Sequence, residues 1–132
     1  MSLEYDKANI VSDELVSHFL VANSEFNVLE NRVRYKALLP SQKHQNISVV
    51  RTRNMSENEV WQWGRTNVKL IDKQALYARA QMIVSDIISL DLRITPDEPP
   101  ERHANVFNWP SEKHAVKSVA QELAARCSLI LP

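Results

Sequence analysis

One glycine, Gly64, in 132 residues is the feature that most narrows what this chain can be. Loops that cradle phosphates need several glycines, because only glycine lets successive backbone N–H groups close on an anion. Neither a Walker-type loop nor the glycine-rich dinucleotide turn can be written with this sequence, and the G-x-S-x-G nucleophile elbow fails for the same reason. Two-residue hairpin turns that need positive φ would have to use Asn or Asp, and neither is followed by glycine. The length suits a single domain over residues 1–132, since domains usually run to about 100–200 residues. A chain of this size buries about two-thirds of its unfolded surface and needs neither metal nor disulfide to hold a core. Residues 1–12, polar and acidic, are the stretch expected to be least ordered.

Cys127 is also alone. That excludes a disulfide within the chain and thiolate zinc sites. Its setting in a helical pattern among apolar residues reads as a small buried hydrophobe. No apolar run approaches the ~20 residues that span a bilayer, so no membrane partner is expected. The opening MSLEYDKANI has no hydrophobic segment of the secretory kind. With a lone reduced thiol, this points to the cytoplasm. No cofactor is expected, and His18, His44, His103 and His114 show no short metal-ligand spacing.

Two helices stand out. Ser56-Glu57-Asn58-Glu59 is a capping box, which predicts a helix to about Ile71 with Val60, Trp61, Gly64 and Val68 on one stripe. A glycine inside a helix costs about 1 kcal/mol against alanine, so Gly64 is expected to permit close approach of another element or of an aromatic ring. The second helix is predicted over 111–127 with Ser111 as N-cap, and Ala115, Val119, Leu123 and Cys127 recur at helical spacing. Strands are read at 32–37, 47–51, 76–84 and 92–94 from alternation and β-branched residues. Ser85 to Ile88 suits one helical turn. The tail Leu129-Ile130-Leu131 is too apolar to hang free and should dock on the core or on a second subunit. The fold class is α+β: a small antiparallel or mixed sheet with two principal helices, about 56–71 and 111–127.

The net charge is zero but unevenly spread. Residues 1–30 carry Glu4, Asp6, Asp13, Glu14, Glu25 and Glu30 against Lys7 alone, whereas residues 31–53 carry six bases and no acid. If the strands at 32–37 and 47–51 pair, Arg32, Arg34, Lys36, Arg51 and Arg53 line one sheet face. Such a face, with Tyr35, Trp61 and Trp63 nearby in sequence, could hold a nucleic-acid backbone. A nucleic-acid domain generally has a pI above about 9, and this one is near 6.9. Coverage by the acidic first thirty residues, or by a protein partner, is the competing explanation.

The densest polar cluster is DEPPERHANVFNWPSEKH, residues 97–114. Pro99-Pro100 should stiffen a surface loop running from 96 to 110 and fix His103. A histidine beside a carboxylate is the minimal general acid/base pair, with Glu98 and Glu101 as candidate partners and His103 and Glu101 as the candidate catalytic residues. Arg102 could hold a carboxylate or phosphate at two points, with Asn105 and Trp109 adding binding contacts. The alternative is structural: the histidine ties down loop backbone while Phe107 and Trp109 plug the core.

NRVRYKALLP, LYARAQMIVSDI and PPERHANVFNWPSEKHAVKSVAQELAARCSLIL resemble a group of small uncharacterised bacterial single-domain proteins. Members share a PPxRHAN…WP segment and a C-terminal amphipathic helix, and the resemblance runs from about residue 30 to the end. It implies a bacterial, cytoplasmic, single-domain protein, transfers no catalytic residue, and directs attention to His103 and Trp109. Three functions follow as expectations. The first is a non-enzymatic protein-binding or accessory module, whose partner is another protein or a second copy in a homodimer. The second is a small enzyme on a phosphate- or carboxylate-bearing substrate with His103 as acid/base. The third is a nucleic-acid binder using the basic segment 31–53.

Overall fold

A computed structural model describes residues 5–132. In chain order the elements are β1 (Leu15–Leu20), β2 (Phe26–Asn27), β3 (Arg32–Val33), β4 (Ile47–Arg51), α1 (Glu57–Asn67), β5 (Ala78–Ile83), α2 (Val84–Ser89), β6 (Arg93–Pro96), β7 (His103–Phe107), α3 (Lys113–Arg126) and β8 (Ser128–Ile130). Short 3-10 turns occupy Asn23–Glu25 and Tyr35–Leu38. Six strands form one sheet in the order β6-β7-β4-β1-β5-β8, every pair antiparallel, and β2 and β3 form a separate hairpin. The fold is α+β. Among the described residues no helix is long and apolar enough to cross a membrane.

Strand alternation divides the core. Val16, Leu20, Val49, Ala80, Met82 and Val106 face α3 and α2, where Leu123, Ala124 and Ile87 meet them. Phe19 and Val50 point the other way and pack under Val60 and Trp61 of α1. Ser56 caps α1 as the sequence predicts, its Oγ accepting from Glu59 N while Ser56 N donates to Glu59 Oε1. That hydrogen bond holds the Glu59 carboxyl below the usual carboxylate range. Helix α1 ends at Asn67 rather than Ile71. At Gly64 an added Cβ would lie 2.7 Å from Phe19 Cε1, so the close approach is made by a phenylalanine ring. The N-cap of α3 is Glu112 and not Ser111; its carboxylate accepts from His114 N and Ala115 N. The apolar tail docks as β8 against β5.

The expected basic sheet face is not formed. The alternation at 32–37 ends after Val33: Tyr35–Leu38 winds as a 3-10 turn, which carries Ala37 and Leu38 into the core and leaves Lys36 exposed. β3 pairs with β2, and the neighbours of β4 are β1 and β7. Arg51 is fully buried. Its Nε and Nη2 each reach a Glu14 carboxylate oxygen at 2.9 Å, and it also donates to the carbonyls of Asp6, Lys7 and Asn9. Residues 5–12 are therefore strapped to the sheet end by Arg51. Residues 1–4, the rest of the stretch expected to be least ordered, lie outside the described residues. Arg53 pairs with Asp13 at 2.8 Å. Arg32, Arg34 and Lys36 are exposed on the β3 side of the molecule, away from those two.

Cys127 is half-buried rather than fully buried as expected, with Sγ donating to Leu123 O at 3.3 Å. Burial first, and the nearby Asp86 carboxylate second, push its thiol up to about 12. The native protein at pH 8 is expected to react with a thiol reagent at least ~100-fold more slowly than the unfolded chain, because only the thiolate attacks. Equal rates in the two states would contradict this placement.

Candidate functional site

The segment read as a loop from 96 to 110 is a β-hairpin. β6 and β7 pair from Arg93↔Phe107 to Pro96↔Ala104, and His103 lies inside the sheet, opposite Val50. The turn contains two cis peptide bonds, Glu98–Pro99 and Pro99–Pro100. Glu98 anchors the turn by accepting from Tyr5 Oη and from Arg102 N, and these bonds hold its carboxyl below the usual range. The Tyr5 hydroxyl is pushed up, by burial first and by its bond to Glu98 second.

Helix α1 covers only part of its side of the sheet. Beyond its edge a pocket of about 270 Å³ opens, lined by His18, Ser48, Trp63, Asn67, Lys69 and His103 among others. The imidazole of His103 lies parallel to the Trp63 indole, with centroids 6.5 Å apart and planes 7° apart. Trp63 in turn stacks on Phe19, at 6.2 Å and 9°. Trp63 Nε1 donates to Glu101 O at 2.7 Å, which ties α1 to the hairpin. The three parallel rings run from the α1 core to the pocket.

Both pocket histidines have a defined tautomer. His103 Nδ1 lies 2.8 Å from Asp97 O, and His18 Nδ1 lies 2.8 Å from Ser48 O. A carbonyl oxygen only accepts, so each Nδ1 carries the proton and each neutral ring keeps its lone pair on Nε2. The Asp97 carboxylate, 3.4 Å from His103 Nδ1, also accepts from Asn105 Nδ2 at 2.7 Å. This is the arrangement that orients a proton-accepting imidazole. Lys69 supplies a cation at the pocket rim.

The structure thus keeps His103 and Asn105 in the candidate site and reassigns their neighbours. Asp97 is the carboxylate at His103; Glu101 contributes its backbone carbonyl, and its side chain is exposed. The guanidinium of Arg102 is turned away from the pocket. It lies 4.0 Å from the Tyr5 ring centroid and donates to Arg51 O and Arg53 O. Arg102 has φ of 77°, and its engagement with three neighbours makes it a structural post rather than an anion clamp. Trp109 packs on the α3 side of the sheet with Nε1 donating to Val106 O, remote from His103. His18, Asn67 and Lys69 were not singled out by the sequence. The signal for His18 would have been β1, which pairs with β4 as far as Ser17↔Val50 and places His18 just beyond, whereas Asn67 and Lys69 enter the pocket from the end of α1.

Among the described residues no group of three or more His, Cys, Asp or Glu side chains is placed to hold a metal. No protein family, curated protein or solved structure matches the chain. The site defines the class at the level of chemistry: an α+β protein with a half-covered sheet and a histidine-lined pocket.

Proposed function

We propose that the protein binds a small phosphate- or carboxylate-bearing molecule in the pocket between α1 and the β6–β7 hairpin, with His103 Nε2 as the group that exchanges a proton with it. The observation that carries this reading is the fixed His103 ring, held by Asp97 at Nδ1 and by Trp63 on its face, lining a concave pocket with Lys69 at its rim. Small-molecule sites are concave and mostly apolar with a few convergent polar groups, as here. An anionic group would meet the Lys69 ammonium, and an O–H of the same molecule, the P–OH of a hydrogen phosphate or a hydroxyl beside a carboxylate, would donate to Nε2. The lone, half-buried thiol suits a bacterial cytoplasmic setting for such a protein.

The test is a titration of histidine ring signals by NMR with inorganic phosphate and with succinate. His103 and His18 are expected to shift saturably with one of them. His103→Asn keeps an N–H where Nδ1 stood and removes Nε2, so it should weaken binding at least about tenfold, the worth of one lost hydrogen bond to a charged group, without unfolding the protein. Shifts confined to the exposed His44 and His114 would refute the proposal.

A second reading, a non-enzymatic accessory module, is favoured by Phe107, which is 37% exposed beside edge strand β6 on the half of the sheet that α1 leaves uncovered. A partner protein, or a second copy of the chain, would lie along the hairpin. In that case neither anion moves His103, and a partner's signal changes centre on residues 93–107.

A further inference from the structure

Two hollows of about 770 and 670 Å³ lie along α3 and meet at Tyr35, which lines both. Lys113 and Lys117 of α3 line one hollow; Gln121 and Ala125 line the other. These four residues recur every fourth position, so they share one helix face. The hollows therefore lie end to end, a groove in two halves along about 18 Å of α3 at 1.5 Å per residue, facing the 30–45 segment with Tyr35 between the halves. Arg32, Arg34 and Lys36 stand on one wall, and Lys113 and Lys117 on the other. Glu30, 4.0 Å from Arg32, is the only carboxylate among the described lining residues. Of the other described acids in the first thirty residues, none lines this groove, and Glu14 and Asp13 are spent on Arg51 and Arg53. Two aromatic rings are spaced along it. Tyr35 lies at the junction with Lys117 Nζ 5.4 Å from its ring centroid, and Trp109 lines the second hollow.

We infer that this groove binds single-stranded nucleic acid, with phosphates on the five cations and bases against Tyr35 and Trp109. The cations are spread over more length than one phosphate group spans. A concave channel between a helix and a loop admits one extended strand, whereas a duplex is read by a convex element entering its groove. The inference is independent of the His103 pocket, which lies on the other side of the sheet.

The test is fluorescence anisotropy of labelled oligo(dT) and oligo(U) with the full chain. Five contacts give a salt slope of about −3.5, so affinity should fall about 100-fold between about 50 and 200 mM salt. The triple variant Arg34→Ala, Lys36→Ala, Lys117→Ala should reduce the magnitude of that slope by about 2. Tyr35→Leu, checked for folding by circular dichroism, should weaken binding about tenfold at unchanged slope, the effect of losing one stacked base. Arg53→Ala, outside the groove, should change nothing. No binding at about 50 mM salt would overturn the inference. Inorganic polyphosphate binding as tightly, with Tyr35→Leu without effect, would overturn the assignment to nucleic acid.

Discussion

Glu14→Ala is expected to destabilise the protein by about 3–5 kcal/mol, the cost of leaving a buried charge without its partner. Glu14 is 2% exposed and Arg51 0%, and the two carboxylate oxygens receive Arg51 Nε and Nη2 in a two-point pair. Glu14 Oε2 also accepts from Val11 N at 2.9 Å. Removing the carboxylate strands a guanidinium where water cannot reach it. Against a total stability of about 5–15 kcal/mol, the loss is a large fraction. It should appear in urea unfolding as a lower midpoint at unchanged slope. The double variant Glu14→Leu, Arg51→Met removes both charges and should be more stable than Glu14→Ala, since an ion pair replaced by apolar groups of similar size is often near neutral. Full recovery is not expected, because the carbonyls of Asp6, Lys7 and Asn9 lose their common donor. The double variant should therefore lose hydrogen-exchange protection over residues 5–12 selectively. A Glu14→Ala protein within 1 kcal/mol of the parent, an explicit threshold of about one ordinary hydrogen bond, would show that the pair contributes far less than its burial implies.

The same pair shows why the sequence misled. Composition reveals that 31–53 is basic and 1–30 acidic, but charge carries no address. Whether Arg51 faces solvent or Glu14 depends on β1 lying beside β4, a contact across about thirty-five residues of chain that no local pattern announces. Helices 57–67 and 113–126 were legible because their caps and apolar periods are local. β4 and β5 were legible for the same reason. β1 was not, since Val16, Ser17, Phe19 and Leu20 are all buried and a strand covered on both faces loses its alternation. β7 was hidden by its polar content: His103 and Asn105 alternate with Ala104 and Val106, but the prolines before them suggested an irregular loop. At the site, His103 could be picked out as a residue type, whereas Asp97 comes to it through the β6–β7 pairing, His18 through strand order and Lys69 through the packing of α1 on the sheet.

Gly64 gives the sharpest link between core and site. Gly64→Val is expected to cost about 3 kcal/mol, at the upper end of overpacking in a filled core. Gly64→Ala should cost about 1–2 kcal/mol, although alanine in an unobstructed helix would gain about 1. The obstruction is specific. A Cβ would stand 2.7 Å from both Cε1 and Cζ of Phe19 and 3.1 Å from Leu76 Cδ1. Phe19 has no room to retreat, because Trp61 meets it edge-on at 5.7 Å and Trp63 lies parallel at 6.2 Å. Any shift of its ring moves Trp63, and Trp63 is itself stacked with the His103 ring. Gly64→Ala should therefore displace the His103 ring signals even though residue 64 does not line the pocket, and it should weaken the anion binding proposed there. Phe19→Leu shortens the obstructing side chain, so its cost in the Gly64→Ala background should be smaller than in the parent by about 1 kcal/mol, within the usual range for residues in contact. Additive costs would mean that the helix moves as a body and the rings do not transmit the strain. A Gly64→Ala protein more stable than the parent would mean that α1 stands farther from Phe19 than 2.7 Å of Cβ clearance allows.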